Sequence, residues 1–259
     1  MNSVTTYNWI GLWTLYMREV RRFMKVYTQT MVAPVITTLL FLAVFALALG
    51  RAVESIGDVP FLVFLGPGLA MMAIAQNAFA NTSSSMMVAK VQGNIVDTLM
   101  PPLTAHELTC AIALGGATRG VMVGFLVVLS ISFFVDLPVS HPFFIVFHAI
   151  AASLMLSLLG LIGGIWAVKF DHIAAVTNFV VMPLSFLSGT FYSIHRLPEL
   201  AQSMAYFNPF FYMIDGFRYG FIGQSDTSPV LGIAVLVSVD ALLWLVCHRM
   251  FASGYRLKA

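Results

Sequence analysis

The sequence predicts an all-α polytopic membrane protein with six transmembrane helices. Composition is the first observation: 59% of the 259 residues are hydrophobic and 9% are charged, against about a quarter charged in an ordinary soluble domain. The second is a set of six long apolar stretches, each near the roughly 20 residues a bilayer crossing needs. The third is the placing of Lys and Arg between them. Together they exclude a soluble enzyme and a disordered scaffold. With a net charge of +2 and no long basic block, no nucleic-acid partner is expected. Cys110 and Cys247 stand alone in apolar surroundings and imply neither a disulfide framework nor a metal site. The first seventeen residues carry no Lys or Arg, so they lack the basic segment of a cleavable signal.

The spans are expected at 31–50, 60–80, 108–135, 143–168, 173–194 and 229–251. Asp171 is a candidate cap for the fifth, and Ser228-Pro229 opens the sixth with proline at a first-turn position. If both termini are cytoplasmic, Arg18, Arg21, Arg22, Lys25, Lys90, Lys169, Arg249, Arg256 and Lys258 share one side, against Arg51, Arg196 and Arg218 on the other. Positive charge favours the inside, so the chain reads as N-in and C-in. Gly116, Gly120 and Gly124 in span three, and Ser153, Ser157, Gly160 and Gly164 in span four, recur at helical spacing. Small residues so spaced let helices approach closely in lipid. Pro183 removes the donor to the carbonyl of Phe179 and predicts a kink in span five.

Three segments do not span. In residues 1–28, Trp9, Trp13, Tyr16, Val20, Phe23 and Tyr27 form one stripe of a helix, with Arg18, Arg22 and Lys25 opposite. Such a helix lies in the membrane interface as an anchor, and its polar face is also available to a cytoplasmic partner. Residues 83–102 are polar enough to leave the bilayer and end at Pro101-Pro102. Met86, Met87, Ile95, Leu99 and Met100 are the expected exposed apolar groups there, suited to a protein interface if the segment is more than a connector. Gly93 permits close backbone approach, and Asp97 offers a charge at the rim. Residues 197–223 are aromatic-rich but broken by Pro198 and Asn208-Pro209. Two short helices dipping into the outer leaflet fit this better than a seventh span.

Catalytic signatures are missing. None of the four lysines follows a glycine, so there is no G-x-x-x-x-G-K-[ST] phosphate loop, and neither H-E-x-x-H nor G-x-S-x-G occurs. The polar groups inside the spans are Arg119, His148 and Asp240. His148 reads as a packed helix residue; Asp240 lies clearly at mid-depth, and Arg119, nearer the cytoplasmic part of span three, is a candidate to snorkel or to pair with it. Three scattered groups are thin support for a proton relay, though a stand-alone ion-coupled transporter stays open as the alternative.

The chain resembles the permease subunits of ABC-2-type exporters, the small six-span bacterial inner-membrane group. The resemblance covers residues 1–259 as a single transmembrane domain. It rests on Gln29-Thr30-Met31-Val32-Ala33-Pro34 before span one, and on Gly66-Pro67-Gly68 in span two. It continues through Gln92-Gly93-Asn94-Ile95-Val96-Asp97-Thr98-Leu99-Met100-Pro101 and Glu107. Ser188-Gly189-Thr190-Phe191-Tyr192, Leu197-Pro198, Asn208-Pro209 and Arg218 complete it. Asp97 departs from a more usual Glu, and Met100 from a small or polar residue. The resemblance implies a transport subunit that is not itself an enzyme and binds no cofactor. A separate ATP-binding cassette subunit would carry ATP and Mg, and a second permease copy would make a homodimer meeting through spans one and five. Residues 83–102 would be the coupling helix, with Met86, Met87, Gly93, Asn94, Ile95, Asp97, Leu99, Pro101, Arg18 and Arg22 against the ATPase. Ser188, Gly189, Pro198, Asn208, Pro209, Phe210 and Arg218 would belong to an outer gate. The expected substrate is amphipathic or lipid-like, exported across the inner membrane.

Overall fold

The computed structural model describes residues 7–49 and 54–257. Expectations resting on residues 1–6, Gly50, Arg51 and Lys258 lie outside the described residues. The chain begins with α1 (Trp9–Met24), then a π-helical turn (Thr28–Val32) that runs into α2 (Ala33–Leu49). A small antiparallel hairpin, β1 (Ser55–Ile56) and β2 (Val59–Pro60), leads into α3 (Phe61–Val91). Next come α4 (Ile95–Leu99), α5 (Ala105–Ile131) and α6 (Pro142–Trp166). The fifth span is composite: α7 (Phe170–Val176), a second π turn (Thr177–Val181) and α8 (Met182–Leu187). A 3-10 turn (Ile194–Arg196), α9 (Glu199–Tyr206), α10 (Pro209–Ile222) and α11 (Pro229–Ser253) complete the order. Among the described residues, six helices are long and apolar enough to cross a membrane: α2 with its π turn, α3, α5, α6, α7–α8 and α11.

α3 is the axis of the bundle, packed between α5 and α6 with α10 against its early turns. At 31 residues it is about 46 Å long, more than the roughly 30 Å hydrocarbon core requires. The small residues do the expected work. Gly116 faces Ser157 and Thr82, Gly120 faces Ser153 and Ala78, and Gly160 lies against the Phe79 carbonyl. Close approach lets buried hydroxyls bond between helices. Ser157 donates to the Ala113 carbonyl at 2.7 Å, and Thr82 donates to the Ser157 carbonyl at 2.7 Å. Such bonds satisfy polar groups that lipid cannot.

The start of α1 and the end of α11 lie at one end of the bundle, here the near end. Lys90, closing α3, donates to the carbonyls of Ile165 at 2.8 Å and Ala167 at 2.5 Å. Arg256 donates to the Trp166 carbonyl at 2.8 Å. Two cations thus satisfy the open carbonyls that end α6. At the start of α5, Thr104 and Glu107 form a capping box, and Glu107 also accepts the Asn8 N–H at 2.5 Å. The cap therefore joins α5 to α1.

Several expectations are corrected. α1 presents Leu12, Leu15, Glu19 and Phe23 to the bundle, while Trp9 and Trp13 stay exposed. Of the aromatic stripe, Trp9 and Trp13 face outward while Phe23 is buried, and Arg22 points inward rather than away. Span two does not stop near residue 80 but continues to Val91, because nothing between Asn81 and Val91 breaks a helix. Met86 and Met87 are consequently 2% and 0% exposed inside the bundle. Asp171 sits in the first turn of α7 without capping it; the N-cap is Lys169. Ser228 does occupy the N-cap of α11, with Pro229 at its first turn. The Pro183 disturbance takes the form of a π turn, with the Met182 N–H bonding to the Thr177 carbonyl. The turn before α2 repeats it: the Ala33 N–H bonds to the Thr28 carbonyl, one residue before Pro34. A proline that cannot donate favours a wider turn just ahead of it.

Candidate functional site

At the near end, a junction of buried polar groups ties α1 to three other helices. Its centre is Glu19, 1% exposed. Its carboxylate accepts from Arg18 at 3.2 Å, Arg22 at 3.2 Å and the Ser85 hydroxyl at 2.7 Å. Gly115 of α5 leaves the room that the Glu19 Cβ occupies. Arg22 reaches on to the Asn81 carbonyl at 2.6 Å, the Asn81 Oδ1 at 3.0 Å and the Ser84 hydroxyl at 3.3 Å. Arg18 donates to the Thr98 hydroxyl at 3.1 Å, which holds α4. Tyr16 and Thr118 pair at 3.0 Å across α1 and α5. A buried carboxylate needs such partners, and removing any one leaves a costly charge behind.

α4 is pinned by one face only. Ile95 is buried with Leu12, Leu15 and Leu108, and Thr98 is buried by the Arg18 contact. Val96, Leu99 and Met100 point outward at 51%, 36% and 77% exposure. Asn94, Asp97 and Pro101 are exposed beside them. Ile95, Met86 and Met87 are therefore supports of the segment rather than contact groups, and Val96 joins the outward set. Gly93 has φ of +74°, with nothing within 4 Å of a Cβ placed there. It makes the left-handed turn that ends α3, and the space beside it is open. Between α1 and the α3–α4 elbow lies an open groove of about 600 Å³ whose walls include Arg18, Arg21, Arg22, Lys25 and Asp97.

The opposite, far end holds the second cluster. Arg218 is 4% exposed. It donates to the Gly189 carbonyl at 2.7 Å, the Thr190 carbonyl at 3.3 Å and the Phe64 carbonyl at 3.2 Å. Its guanidinium also stands 3.7 Å over the Phe64 ring. Gly68 makes this possible, since a Cβ there would meet the Thr190 carbonyl at 2.6 Å. Asn208 caps α10 by accepting the Phe210 N–H at 3.1 Å, and donates to Ser188 at 2.7 Å and the Leu184 carbonyl at 3.2 Å. Ser188 donates in turn to the Leu184 carbonyl. Pro198 and Pro209 open α9 and α10 as a short helix pair. The separate motifs Gly66-Pro67-Gly68, Ser188-Gly189-Thr190, Asn208-Pro209 and Arg218 thus converge on one clasp between α3, α8 and α10.

Sequence reasoning missed Asp215. It accepts from Ser225 at 2.6 Å, the Asp226 N–H at 2.9 Å and the Thr227 hydroxyl at 3.0 Å, fixing the turn before α11. Asp226 then accepts from Ser193 at 2.9 Å and the Ile194 N–H at 3.0 Å. Loop-embedded Ser, Asp and Thr were the available signal.

The three intramembrane polar residues are not brought together. His148 bonds to the Phe144 carbonyl at 2.8 Å and packs against Gly216, which has no room for a Cβ there. Arg119 donates to Asn77 Oδ1 at 2.8 Å. Asp240 Oδ1 is buried without a hydrogen-bond partner among the described residues, and no ion pair joins Asp240 to Arg119 there.

Known proteins align with this architecture. The family profile for ABC-2 type transporter matches residues 11–222, which takes in both clusters. The chain is 37% identical to the "Inner membrane transport permease YadH" of Escherichia coli (strain K12), over 97% of this chain and 98% of the relative. It is 32% identical to the "Capsule polysaccharide export inner-membrane protein BexB" of Haemophilus influenzae, over 42% of this chain and 43% of that one. It is 22% identical to "Nodulation protein J" of Rhizobium leguminosarum bv. viciae, over 92% of each. Six membrane-length apolar helices and inner-membrane relatives make it a multi-pass inner-membrane protein. With that profile spanning α1 to α10 and a relative aligned over nearly its whole length, the chain belongs to the ABC-2 type transporter family, as a membrane permease.

Proposed function

We propose that this chain is the permease of an ATP-driven exporter, energised by a separate ATP-binding cassette subunit that docks at the near end and carries ATP and Mg. The observation that carries this reading is the Glu19 junction, with α4 pinned beneath its own outward apolar edge. A partner pressing on Val96, Leu99 and Met100 moves α4. Arg18 passes that motion to α1, and Arg22 and Ser85 pass it to α3. α3 is continuous from this junction to the Arg218 clasp, so displacement at one end is felt at the other. The near end is assigned to the cytoplasm because Arg18, Arg21, Arg22, Lys25, Lys90, Lys169, Arg249 and Arg256 belong to it.

The far-end clasp then acts as the outer gate, and the substrate is amphipathic. The word "export" in the BexB name is in keeping with an outward direction. Two copies form the working permease. Phe45 of α2 stacks on Phe191, in the turn after α8, and Phe191 stacks on Phe186 of α8; the apolar windows of α2 and α7–α8 are only 17% and 11% buried. A flank so sparsely packed suits a second copy, as the family resemblance implies. An ion-coupled mechanism has less support, since Arg119, His148 and Asp240 make no mutual contact.

The test uses the full chain with its ATPase partner. Val96→Ala combined with Met100→Ala removes apolar anchors at a cost of roughly 2 kcal/mol or more. Co-purification of the ATPase should drop at least severalfold while the permease stays folded. Asp97→Ala should act more weakly and depend on salt. Undiminished association and export in the double variant would place the docking surface elsewhere.

A further inference from the structure

The far end holds a cavity of about 270 Å³ between the hairpin, the 3-10 turn and the loop before α11. His195, Arg196, Asp215, Arg218 and Asp226 all line it. Phe64 and the hairpin residues Ile56 and Val59 close its apolar side. A volume this small suits an ion or a single headgroup rather than a whole large ligand.

The acids and the arginines of this cavity are not equivalent. Asp215 accepts from the hydroxyls of Ser225 and Thr227 and from the N–H groups of Asp226 and Thr227. Asp226 accepts from the Ser193 hydroxyl and the Ile194 N–H, and the His195 ring stands 3.9 Å from it. Both carboxylates are therefore engaged within the protein. The guanidiniums are not. Arg196 is exposed, and its side chain makes no hydrogen bond or ion pair among the described residues. Arg218 commits Nε and Nη2 to the carbonyls of Phe64, Gly189 and Thr190. Its Nη1 has no partner among the described residues and, unlike the Nε of Arg119, is not sealed in by protein.

No carboxylate comes within ion-pair distance of Arg218 among the described residues. The carbonyls and the Phe64 ring solvate its charge without neutralising it. Arg196, in turn, is offered from an anchored backbone, because Asp226 holds Ser193 and Ile194 just ahead of it. Two guanidiniums with unused N–H groups, facing one small cavity whose acids are occupied, match the planar oxygens of a phosphate or carboxylate.

We infer that the far-end cavity binds an anionic group, a phosphate or a carboxylate, between Arg196 at its mouth and the open Nη1 of Arg218 at its floor. Gln224, also in the lining, adds an amide donor. The bound anion gives Arg218 the counter-charge it lacks. This goes beyond the exporter reading and does not rest on it.

The test is binding to the purified full chain in phosphatidylcholine nanodiscs, with empty discs as background. The probes are inorganic phosphate, dodecyl phosphate and neutral dodecanol. Saturable binding of a phosphate probe is expected, with none of dodecanol. Arg196→Gln should weaken it by roughly tenfold or more, the scale of a charge-assisted bond. Gln224→Glu places a like charge in the lining and should weaken it by at least as much. Both positions are exposed, so the chain stays folded and the Arg218 clasp is untouched. Arg249→Gln, at the near end, should change nothing. Saturation by inorganic phosphate makes this a site for a free anion. Saturation by dodecyl phosphate alone makes it a headgroup site, and competition by phosphatidylglycerol then assigns it to ambient lipid. Each of these results supports the site and identifies the source of its anion. No saturable binding of either phosphate probe, binding as tight in both variants as in wild type, or saturation by dodecanol would overturn the inference. Binding is read on the permease alone, so a failure of ATPase association, which would sink the exporter reading, is a separate result.

Discussion

Arg218 draws its importance from three carbonyls it satisfies at once and from the glycine that lets them come near. A guanidinium has five N–H groups in a fixed fork, which a lysine cannot reproduce. Gly68 is the matching vacancy on α3. Gly68→Ala should destabilise the chain by about 1–3 kcal/mol, because the new methyl meets backbone and cannot be relieved by a rotamer change. Thermal unfolding in detergent should show the loss, and Arg218→Lys should show a comparable one. An unchanged midpoint in Gly68→Ala would mean that α3 and the Thr190 loop are free to separate, and that the clasp is not closed. The clasp residues were legible as motifs through the family resemblance, but their convergence was not, since Gly68 and Arg218 are far apart in sequence. Glu19 was illegible for another reason. A single acid among Arg18, Arg21 and Arg22 reads as part of a solvated polar face, and only the packing of α1 on α5 reveals it as buried.

The same distinction holds for whole elements. Span existence was legible because length and hydropathy are local properties. Which face of each helix meets protein was not, because lipid and protein interior are equally apolar. The aromatic stripe of α1 accordingly mixes Trp9 and Trp13, which stay outside the bundle, with Phe23, which is buried in it. The same ambiguity is why Ser83 to Ser85 looked like an exit from the membrane: their hydroxyls bond back to the helix or to partners, as Ser83 does to the Phe79 carbonyl at 2.7 Å. The paired π turns before Pro34 and Pro183 belong to this scale. Each sits in a loosely packed span, so neighbouring helices do little to hold it. Pro183→Ala restores a donor for the Phe179 carbonyl and removes a residue about 3 kcal/mol worse than alanine in a regular helix. Hydrogen exchange across residues 177–187 should slow by roughly tenfold or more. Unchanged exchange would show that the π turn is imposed by packing and not by proline.

At the scale of the molecule, the proposed orientation decides which cluster would face the ATPase. The near end carries the Glu19 junction and the outward edge of α4; the far end carries the Arg218 clasp, the hairpin and the α9–α10 pair. With the basic residues inside, as proposed, the near end would be cytoplasmic. Cysteine labelling in a background lacking Cys110 and Cys247 tests this, and the structure chooses the sites. Ser84 and Ser225 are unsuitable, because Ser84 contacts Arg22 and Ser225 bonds to Asp215. Asp58, Asp136 and Val139 are exposed at the far end, whereas Asn94 and Ser253 are exposed at the near end. An impermeant thiol reagent added to spheroplasts should label cysteines at Asp58, Asp136 and Val139. Cysteines at Asn94 and Ser253 should react only after the membrane is opened. Labelling at Asn94 together with Ser253 in sealed spheroplasts would invert the molecule, leaving the Glu19 junction with no ATP to answer to. Labelling at Ser253 without Asn94 would mean an odd number of crossings after α4, and α9–α10 would then be a seventh span. Six crossings with both termini inside is the one arrangement that keeps α1, α4 and the end of α11 together on the side where a soluble ATPase can reach them.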